Sequence, residues 1–296
     1  MARVRLAVTL GDPRGIGAEV VAKALLAPAV REACDLVIVG PSGLEVAADV
    51  VVGAWSSAGD AAQAGRLSGL AIERAVAMAQ RGEVQGIVTA PIDKHALLAG
   101  GYDFPGHTEM LAALTGSTTA MMLASDALRV VLATTHIALR DVPAAVTAEA
   151  IGTAAETTRE GLRRWFGIAE PRLALCALNP HAGDHGRFGD EDDRILAPSA
   201  RTHGLEGPFP ADTVFVRAMR GAFDAVIAPY HDVGMTAIKV ASFGSAVNVT
   251  LGLPFPRTSP DHGTAMDIAG KGISEPGSMI AAVLCAAAMV RTATAG

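Results

Sequence analysis

The stretch RLAVTLGDPRGIGAEVVAKALL, residues 5–26, decides the fold class. Residues 5–10 form a short apolar run that is typical of a buried strand, and residues 18–26 have helical spacing. Between them, Gly11, Gly15 and Gly17 indicate a tight strand-to-helix turn. Such turns can bind phosphate on exposed N–H groups, but the spacing here matches neither the dinucleotide fingerprint nor the P-loop. The stretch therefore predicts one strand–loop–helix unit.

The same alternation of strand and helix continues along the chain. Further strands are predicted at residues 35–40, 86–89, 129–134, 172–177 and 224–228, and further helices at 61–81, 148–166 and 278–293. This order predicts a largely parallel sheet with helices on both faces. Ligands of such sheets bind beyond the carboxyl ends of the strands, so the residues that follow each strand are the candidate site.

Composition excludes several classes of protein. The 296 residues carry a net charge of −6, so the chain lacks the basic surface that a nucleic-acid partner requires. Its longest late apolar run, residues 279–290, is shorter than the roughly 20 residues that a membrane span needs. Cys34, Cys176 and Cys285 are scattered in apolar surroundings and are interpreted as buried thiols of a reducing compartment. We therefore expect a cytoplasmic protein with no nucleic-acid or membrane partner.

Three of the predicted strands are each followed by a histidine, namely His136, His181 and His231. The intervals between them are much longer than those of structural zinc motifs. They suit a metal site that distant loops assemble at one edge of a sheet, with a position open for substrate. Each histidine could equally be a hydrogen-bonded structural residue. The acidic run at residues 190–193 is interpreted as a solvated loop and helix start.

Two further groups of residues indicate an anionic ligand. His107 and Thr108 lie where a loop enters a helix, and both side chains can donate hydrogen bonds there, although Thr108 could instead be the helix N-cap. Lys239, Asn248 and Arg257 follow one another at short intervals within apolar sequence. An ammonium, an amide and a guanidinium are suited to binding an anion. Ordinary surface ion pairs would use the same residue types.

Together these motifs resemble the 4-hydroxythreonine-4-phosphate dehydrogenase family of vitamin B6 biosynthesis. The residues that carry the resemblance are GHTE at 106–109, NPHAG at 179–183, YHD at 230–232 and NVTLGLPFPRT at 248–258. The matching segments cover well over half of the chain. There are departures: residues 233–236 are Val-Gly-Met-Thr where the family usually has Gln-Gly-Leu-Pro, and Pro256 replaces an aliphatic residue.

The resemblance implies an α/β fold of two α/β/α domains with a cleft, similar to isopropylmalate and isocitrate dehydrogenases. The first domain, on the cofactor side, would be discontinuous and comprise residues 1–118 with 250–296. The second, residues 119–249, would contain the dimerisation and metal-ligand loops. The resemblance also implies a homodimer whose two subunits share the active site.

The resemblance assigns roles to individual residues. The implied metal ligands are His136, His181 and His231. The implied substrate contacts are His107, Thr108, Lys239, Asn248 and Arg257. A segment similar to the cofactor loop of the related dehydrogenases implies NAD contacts at His262, Gly263, Thr264 and Asp267. Asp232 and Lys239 are both candidates for the general base, and the choice stays open. Three imidazoles suit zinc, with cobalt, manganese or magnesium as alternatives, and NADP stays open beside NAD.

The implied reaction is NAD-dependent oxidation of 4-phosphohydroxy-L-threonine with decarboxylation to 3-amino-2-oxopropyl phosphate, a step in pyridoxal phosphate biosynthesis. A divalent cation suits it, because a Lewis acid lowers the pKa of the substrate hydroxyl and polarises the new carbonyl. One alternative is the same chemistry on another acid, such as threonate or erythronate 4-phosphate or a carboxylated cis-dihydrodiol. A non-catalytic binding protein is a third hypothesis, which the intact histidines disfavour.

Overall fold

The computed structural model describes residues 3–242 and 245–295. Its strands are β1 Val4–Thr9, β2 Cys34–Ser42, β3 Val50–Ala54, β4 Gly86–Thr89, β5 Ala120–Ala124, β6 Arg129–Leu132, β7 Leu173–Cys176, β8 Glu206–Phe209, β9 Ala225–Ala228, β10 Val247–Leu251 and β11 Arg257–Pro260. Its helices are α1 Gly17–Leu26, α2 Pro28–Ala33, α3 Ala61–Gln80, α4 Lys94–Ala99, α5 His107–Thr115, α6 Val142–Ala145, α7 Ala148–Phe166, α8 Ala197–His203, α9 Ala211–Met219, α10 His231–Ser242 and α11 Gly277–Ala295. The α/β class expected from the sequence is confirmed.

The chain divides into two compact units, and the first comprises Met1–Ser117 and Val247–Gly296. Its strands lie in the order β3-β2-β1-β4-β11-β10. Neighbours are parallel except β10, which runs antiparallel to β11. Thr9 pairs with Thr89, so β1 and β4 end at the same edge of the sheet. The segments that follow these two strands therefore begin side by side.

The turn after β1 requires glycine because the backbone passes very close to its neighbours. Gly11 has a φ of +70°, and a Cβ there would lie 2.2 Å from the carbonyl oxygen of Pro91. The N–H of Asp12 donates to that same oxygen at 3.0 Å. A side chain at Gly11 would thus meet both backbone strain and a clash. This contact joins the loops that follow β1 and β4.

The second unit comprises Thr118–Ala246, with the strand order β5-β6-β9-β7-β8. β6, β9, β7 and β8 are parallel, and β5 runs antiparallel to β6. β6, β9 and β7 are adjacent and point the same way, so their carboxyl ends lie at one edge. The segments that contain His136, His231 and His181 all begin at this edge.

Helix α11 closes the first unit. Within residues 3–242 and 245–295 it is the one helix long and apolar enough to cross a membrane, judged by length and composition alone. The apolar run at residues 279–290 is shorter than a membrane span, but the helix that contains it has 19 residues. Met279 and Val283 are fully buried, and the carbonyl of Ala282 accepts a hydrogen bond of 2.7 Å from Thr258. These contacts are those of a core helix packed on β11.

The cysteines form no disulfide within the described residues. Cys34 and Cys176 are buried as expected, and burial raises the pKa of the first to about 11 and of the second to about 12. Cys285 is only half-buried, which corrects the expectation for that thiol. At neutral pH, Cys34 and Cys176 are therefore protonated and poor nucleophiles.

Candidate active-site residues

Arg257 is a buried cation whose hydrogen-bond partners among the described residues are hydroxyl groups. It is the first residue of β11 and is 1% exposed. Its Nη1 donates to Thr250 Oγ1 at 2.8 Å and its Nη2 to Thr89 Oγ1 at 2.6 Å, whereas Nε has no partner within the described residues. Burial lowers the pKa of Arg257 to about 10, against the opposing charge of Glu109. A buried guanidinium without a carboxylate at ion-pair distance is costly, so an anionic ligand is the expected partner.

His107 lies close to this guanidinium at the start of α5. Burial of its ring lowers the pKa of His107 well below the ordinary value of 6.5, and the charges of Arg257 and Lys94 lower it further. The imidazole is therefore neutral at physiological pH. Its Nε2 is buried and has no hydrogen-bond partner in the described part of the chain. Neutral imidazole with an open nitrogen can donate to an anion without bringing a competing counter-charge.

Thr108 and Asn248 lie in the same unit as Arg257. The N-cap of α5 is Gly106, so the alternative role of Thr108 as the N-cap is wrong. Thr108 instead occupies the first turn of α5, where the helix dipole favours an anion. Asn248 is two residues from Thr250 on β10, and side chains two apart on a strand share a face. The Oδ1 of Asn248 is buried and has no partner among the described residues.

His136 and His231 are brought together in the second unit. Their ring centroids are 5.5 Å apart, with the ring planes inclined by 45°. His231 is half-buried at the start of α10, and its Nδ1 lies 2.7 Å from Asp232 Oδ1. With the proton on Nδ1, the carboxylate orients the ring and leaves the lone pair on Nε2. This donor set fits two positions of a metal coordinated by imidazoles.

His181 lies in a segment with an unusual backbone. His181 and Ala182 both have a φ of +54°, and the His181 ring faces Phe188 at a centroid distance of 6.3 Å. Within residues 3–242 and 245–295, no three His, Cys, Asp or Glu side chains converge closely enough to hold a metal ion. One chain therefore brings together two of the three histidines.

Asp192 is a supporting residue that the sequence interpretation missed. It was expected in a solvated run, but it is 1% exposed. Its carboxylate accepts hydrogen bonds from the N–H groups of Leu178 and Asn179, at 2.9 and 3.0 Å, and from the Asn179 amide at 3.0 Å. These bonds fix the start of the loop that contains His181. A carboxylate thirteen residues away gives no local pattern that would reveal this role.

Lys239 lies in the last turn of α10, in the second unit, and its side chain is exposed. No carboxylate within the described ranges comes within ion-pair distance of its ammonium group. The ordinary alternative of a surface ion pair therefore has no support in the described residues. Lys239 is available to a charged ligand.

The segment at residues 262–272 packs against the turn that follows β1. The N–H of Ile16 donates to the Thr264 carbonyl at 2.9 Å, and a Cβ on Gly15 would come within 2.8 Å of that oxygen. His262 Nδ1 lies 3.0 Å from the Gly263 carbonyl, and its buried Nε2 has no partner among the described residues. A Cβ on Gly263 would meet open space. The open imidazole nitrogen and the free space beside it fit a polar ligand such as a dinucleotide.

Comparison with known proteins identifies the family. The family model described as "Pyridoxal phosphate biosynthetic protein PdxA" matches residues 23–286. The chain belongs to the PdxA family. The 4-hydroxythreonine-4-phosphate dehydrogenase of Geobacter metallireducens is 42% identical to this PdxA chain, over 99% of the chain and 97% of the relative. The D-threonate 4-phosphate dehydrogenase of Cupriavidus necator is also 42% identical, over 94% of the chain and 95% of the relative.

Solved structures agree with this assignment. The crystal structure of the 4-hydroxythreonine-4-phosphate dehydrogenase from Klebsiella pneumoniae superposes with a TM-score of 0.84 at 38% identity, covering 98% of this PdxA chain and 99% of the other. The resemblance drawn from the motifs is therefore confirmed, as is the expectation of an enzyme of the dehydrogenase class. A dehydrogenase of this family implies a nicotinamide cofactor.

Proposed function

We propose that this PdxA chain oxidises 4-phosphohydroxy-L-threonine with NAD and decarboxylates the product to 3-amino-2-oxopropyl phosphate. The observation that carries the proposal is the buried guanidinium of Arg257, whose hydrogen bonds within the described part of the chain go to the hydroxyls of Thr89 and Thr250. A phosphorylated acid supplies the missing negative charge, and charge-assisted hydrogen bonds are strong in a buried site. The names of relatives at 42% and 43% identity support the same substrate class.

The chain's own residues hold the substrate in this proposal. The Arg257 guanidinium and the neutral His107 donate to an anionic group, and Thr108 adds a hydroxyl donor. Asn248 offers its open amide oxygen to a hydroxyl or ammonium group of the substrate. Lys239 binds a second negatively charged group. Fixing both ends of a small acid orients the alcohol carbon toward the hydride acceptor and removes the entropy cost of alignment from the chemical step.

We further propose His136, His181 and His231 as the ligands of a divalent metal, with zinc favoured by the imidazoles and cobalt, manganese or magnesium as substitutes. These residues would hold the ion, which would supply a Lewis acid for the substrate hydroxyl and the new carbonyl. Asp232 orients His231 through the hydrogen bond of 2.7 Å. That engagement leaves Lys239 as the residue that exchanges a proton with the substrate, accepting it as the neutral amine and returning it as the ammonium group, because no carboxylate among the described residues pairs with it.

A homodimer is part of the proposal, because one chain groups only two of the three imidazoles. Large apolar side chains are exposed next to the candidate ligands: Ile137 and Leu139 follow His136, and Phe188 lies near His181. Exposed apolar residues at such positions are typical of protein interfaces. A second copy of the chain would cover them and complete the ligand set. We also propose a cytoplasmic location, which the absence of disulfides among the described cysteines supports.

The cofactor contacts proposed are His262, Gly263, Thr264 and Asp267, with NAD as the first choice and NADP as the alternative. When held by these residues, the dinucleotide would supply the acceptor for the hydride. The open Nε2 of His262 is the strongest support, because a buried nitrogen without a partner is unfavourable unless a ligand occupies it. Asp267 is exposed and is available to hydroxyl groups of the cofactor.

The same chemistry on D-threonate 4-phosphate is the second candidate function. The relative of that name from Cupriavidus necator is as similar to this chain as the 4-hydroxythreonine-4-phosphate dehydrogenase from Geobacter metallireducens. Both substrates are phosphorylated hydroxy acids, so the Arg257 site suits either. They differ in the group on the carbon next to the carboxylate, where one has an amine and the other a hydroxyl.

An NADH-formation assay tests the proposal directly. Purified protein is supplied with zinc, manganese or magnesium and offered 4-phosphohydroxy-L-threonine, D-threonate 4-phosphate, D-erythronate 4-phosphate and unphosphorylated threonate, with and without a chelator. We expect the first substrate to have the highest kcat/KM and the chelator to abolish turnover. A preference for D-threonate 4-phosphate would establish the second candidate. Failure of every phosphorylated acid in the presence of metal would overturn both.

A further inference from the structure

Glu19 is a buried carboxylate that the proposed function does not use. It lies in α1 and is 5% exposed. Its Oε1 accepts hydrogen bonds from the Ser274 N–H at 2.9 Å, from the Ser274 hydroxyl at 2.6 Å and from Lys23 Nζ at 2.9 Å. These donors hold the pKa of Glu19 near 2, with the Ser274 hydroxyl as the largest cause. The two bonds from Ser274 join α1 to a distant segment of the chain.

Lys23 strengthens the same connection. It lies four residues after Glu19, on the same face of α1. Its ammonium group also donates to the carbonyls of Gly272 at 2.9 Å and Ser274 at 2.6 Å. We name Glu19, Lys23 and Ser274 the clasp. The hydrogen bonds of the clasp lie where the segment at residues 262–272 ends.

The other part of that segment is held by the turn ahead of α1. The Thr264 carbonyl accepts the Ile16 N–H at 2.9 Å, and Gly15 is packed so closely on Thr264 that a Cβ would clash. The segment is therefore attached to α1 and its preceding turn at two points, near its start and at its end. Gly270 and Gly272 lie in the part of the segment near its second attachment point, and they have positive φ values of +72° and +71°. A glycine-containing segment of this kind would lose much conformational entropy if it were ordered only on binding.

We propose that the clasp holds the segment at residues 262–272 in the conformation that binds the nicotinamide cofactor. The inference rests on the proposed function, because that function assigns His262, Gly263, Thr264 and Asp267 to the dinucleotide. Glu19, Lys23 and Ser274 are then positioning residues, which order the cofactor segment before the cofactor arrives. Preorganisation of this type increases affinity by lowering the entropy lost on binding. It affects the cofactor and leaves substrate binding unchanged.

Glu19→Gln tests the clasp with little change of shape, because the amide removes the negative charge that holds Lys23 and Ser274. Two quantities are measured: the rate at which trypsin cleaves after the exposed Lys271, identified by mass spectrometry, and the dissociation constant for NADH, from fluorescence. We expect each to rise about tenfold, the size expected when a buried charged hydrogen-bond partner is lost. Cleavage after Arg187, in the second unit, and kcat at saturating NAD should stay unchanged.

Glu275→Gln is the matched control. Glu275 is adjacent to Ser274 and exposed, and its substitution makes the same change of charge outside the clasp. Both quantities should keep their wild-type values in this variant. Ser274→Ala removes only the hydroxyl donor, and we expect a smaller rise in both. This milder variant decides the question if Glu19→Gln does not fold.

The cleavage and NADH-binding results together decide whether the clasp holds the segment and whether the segment binds the cofactor. Unchanged cleavage after Lys271 in Glu19→Gln would show that the clasp does not hold the segment. Faster cleavage with an unchanged NADH dissociation constant would show that the segment is held but does not serve the cofactor. If wild-type protein does not bind NADH, the proposed function fails and the cofactor part of this inference fails with it. The tryptic result would still report separately whether Glu19 tethers the segment.

Discussion

The Thr89 hydroxyl accepts a hydrogen bond of 2.6 Å from Arg257, although 168 residues separate the two in the sequence. Thr89 ends β4 and Arg257 begins β11, and the two strands are parallel neighbours. The bond directs the guanidinium toward the carboxyl end of β4 and leaves its Nε open. A buried cation placed in this way is costly to the folded protein, which supports the proposed role of Arg257 in binding an anionic ligand.

Arg257→Met should weaken the binding of the phosphorylated substrate strongly while changing the stability of the protein little. We expect kcat/KM for the phosphorylated substrate to fall by about 100-fold or more, because a buried charge-assisted contact is lost. The free energy of unfolding should change by less than about 2 kcal/mol, since the lost hydrogen bonds are offset by relief of the buried charge. Urea denaturation and steady-state kinetics measure the two effects. Arg172→Met, at an exposed ion pair, is the control and should alter neither kcat nor KM.

His181→Ala should abolish turnover while the fold is retained. The reason is the loss of one proposed imidazole ligand, and the measurements are metal content by elemental analysis, circular dichroism and NADH formation. A loss of at least tenfold in metal affinity is expected. His185→Ala changes a neighbouring exposed histidine in the same loop and should leave activity intact. A fully active His181→Ala protein would contradict the metal assignment.

His107 should make stability depend on pH below neutrality. Its pKa is lower in the folded protein than the ordinary value of 6.5, so the unfolded chain takes up the proton first as the pH falls. The contribution of neutral His107 is therefore complete above pH 6.5 and decreases below it, by roughly 1 kcal/mol per pH unit. Denaturation of wild type and His107→Gln across this range measures the difference. Parallel pH profiles for the two proteins would contradict the assignment.

Glu19 should make the stability of the protein depend on pH in a more acidic range than His107 does. Its pKa is about 2 in the folded protein against an ordinary 4.5, so its ionised form stabilises the fold above pH 4.5. That contribution is lost as the pH falls from 4.5 toward 2, where the folded carboxylate also becomes protonated. The difference in thermal midpoint between wild type and Glu19→Gln should therefore shrink over this interval. A difference in thermal midpoint that stays constant with pH would show that the charge of Glu19 does not contribute to stability.

Local patterns predicted much of the fold. Strand β4 and helix α7 match the predicted bounds, and β1, α1 and α3 differ from theirs by at most one residue at either end. These segments have clear apolar periodicity and are bounded by glycine, proline or a capping residue such as Asp60. β10 and β11 were missed because Gly252, Pro254 and Pro256 interrupt the region and disguise two short strands.

The candidate site was predicted less completely. Histidines that follow strands can be found from the sequence, because a strand and the residue after it are adjacent in the chain. The placement of the His136 and His231 rings 5.5 Å apart depends on β6 lying beside β9. The burial of Asp192 and the Glu19–Ser274 hydrogen bonds depend equally on contacts between distant segments. Periodicity and composition contain no information about such pairs.

The amino-acid sequence by itself determined the family, the alternation of strands and helices, and the residue types available for binding anions and metal. Those properties are local, since they follow from short motifs and from the spacing of apolar residues. Only the tertiary structure decided which strands are neighbours, and therefore that Arg257 is buried against hydroxyls and that Glu19 is hydrogen-bonded to Ser274. Burial and pairing depend on the whole packed unit, because the stability of a buried charge is set by every group that surrounds it.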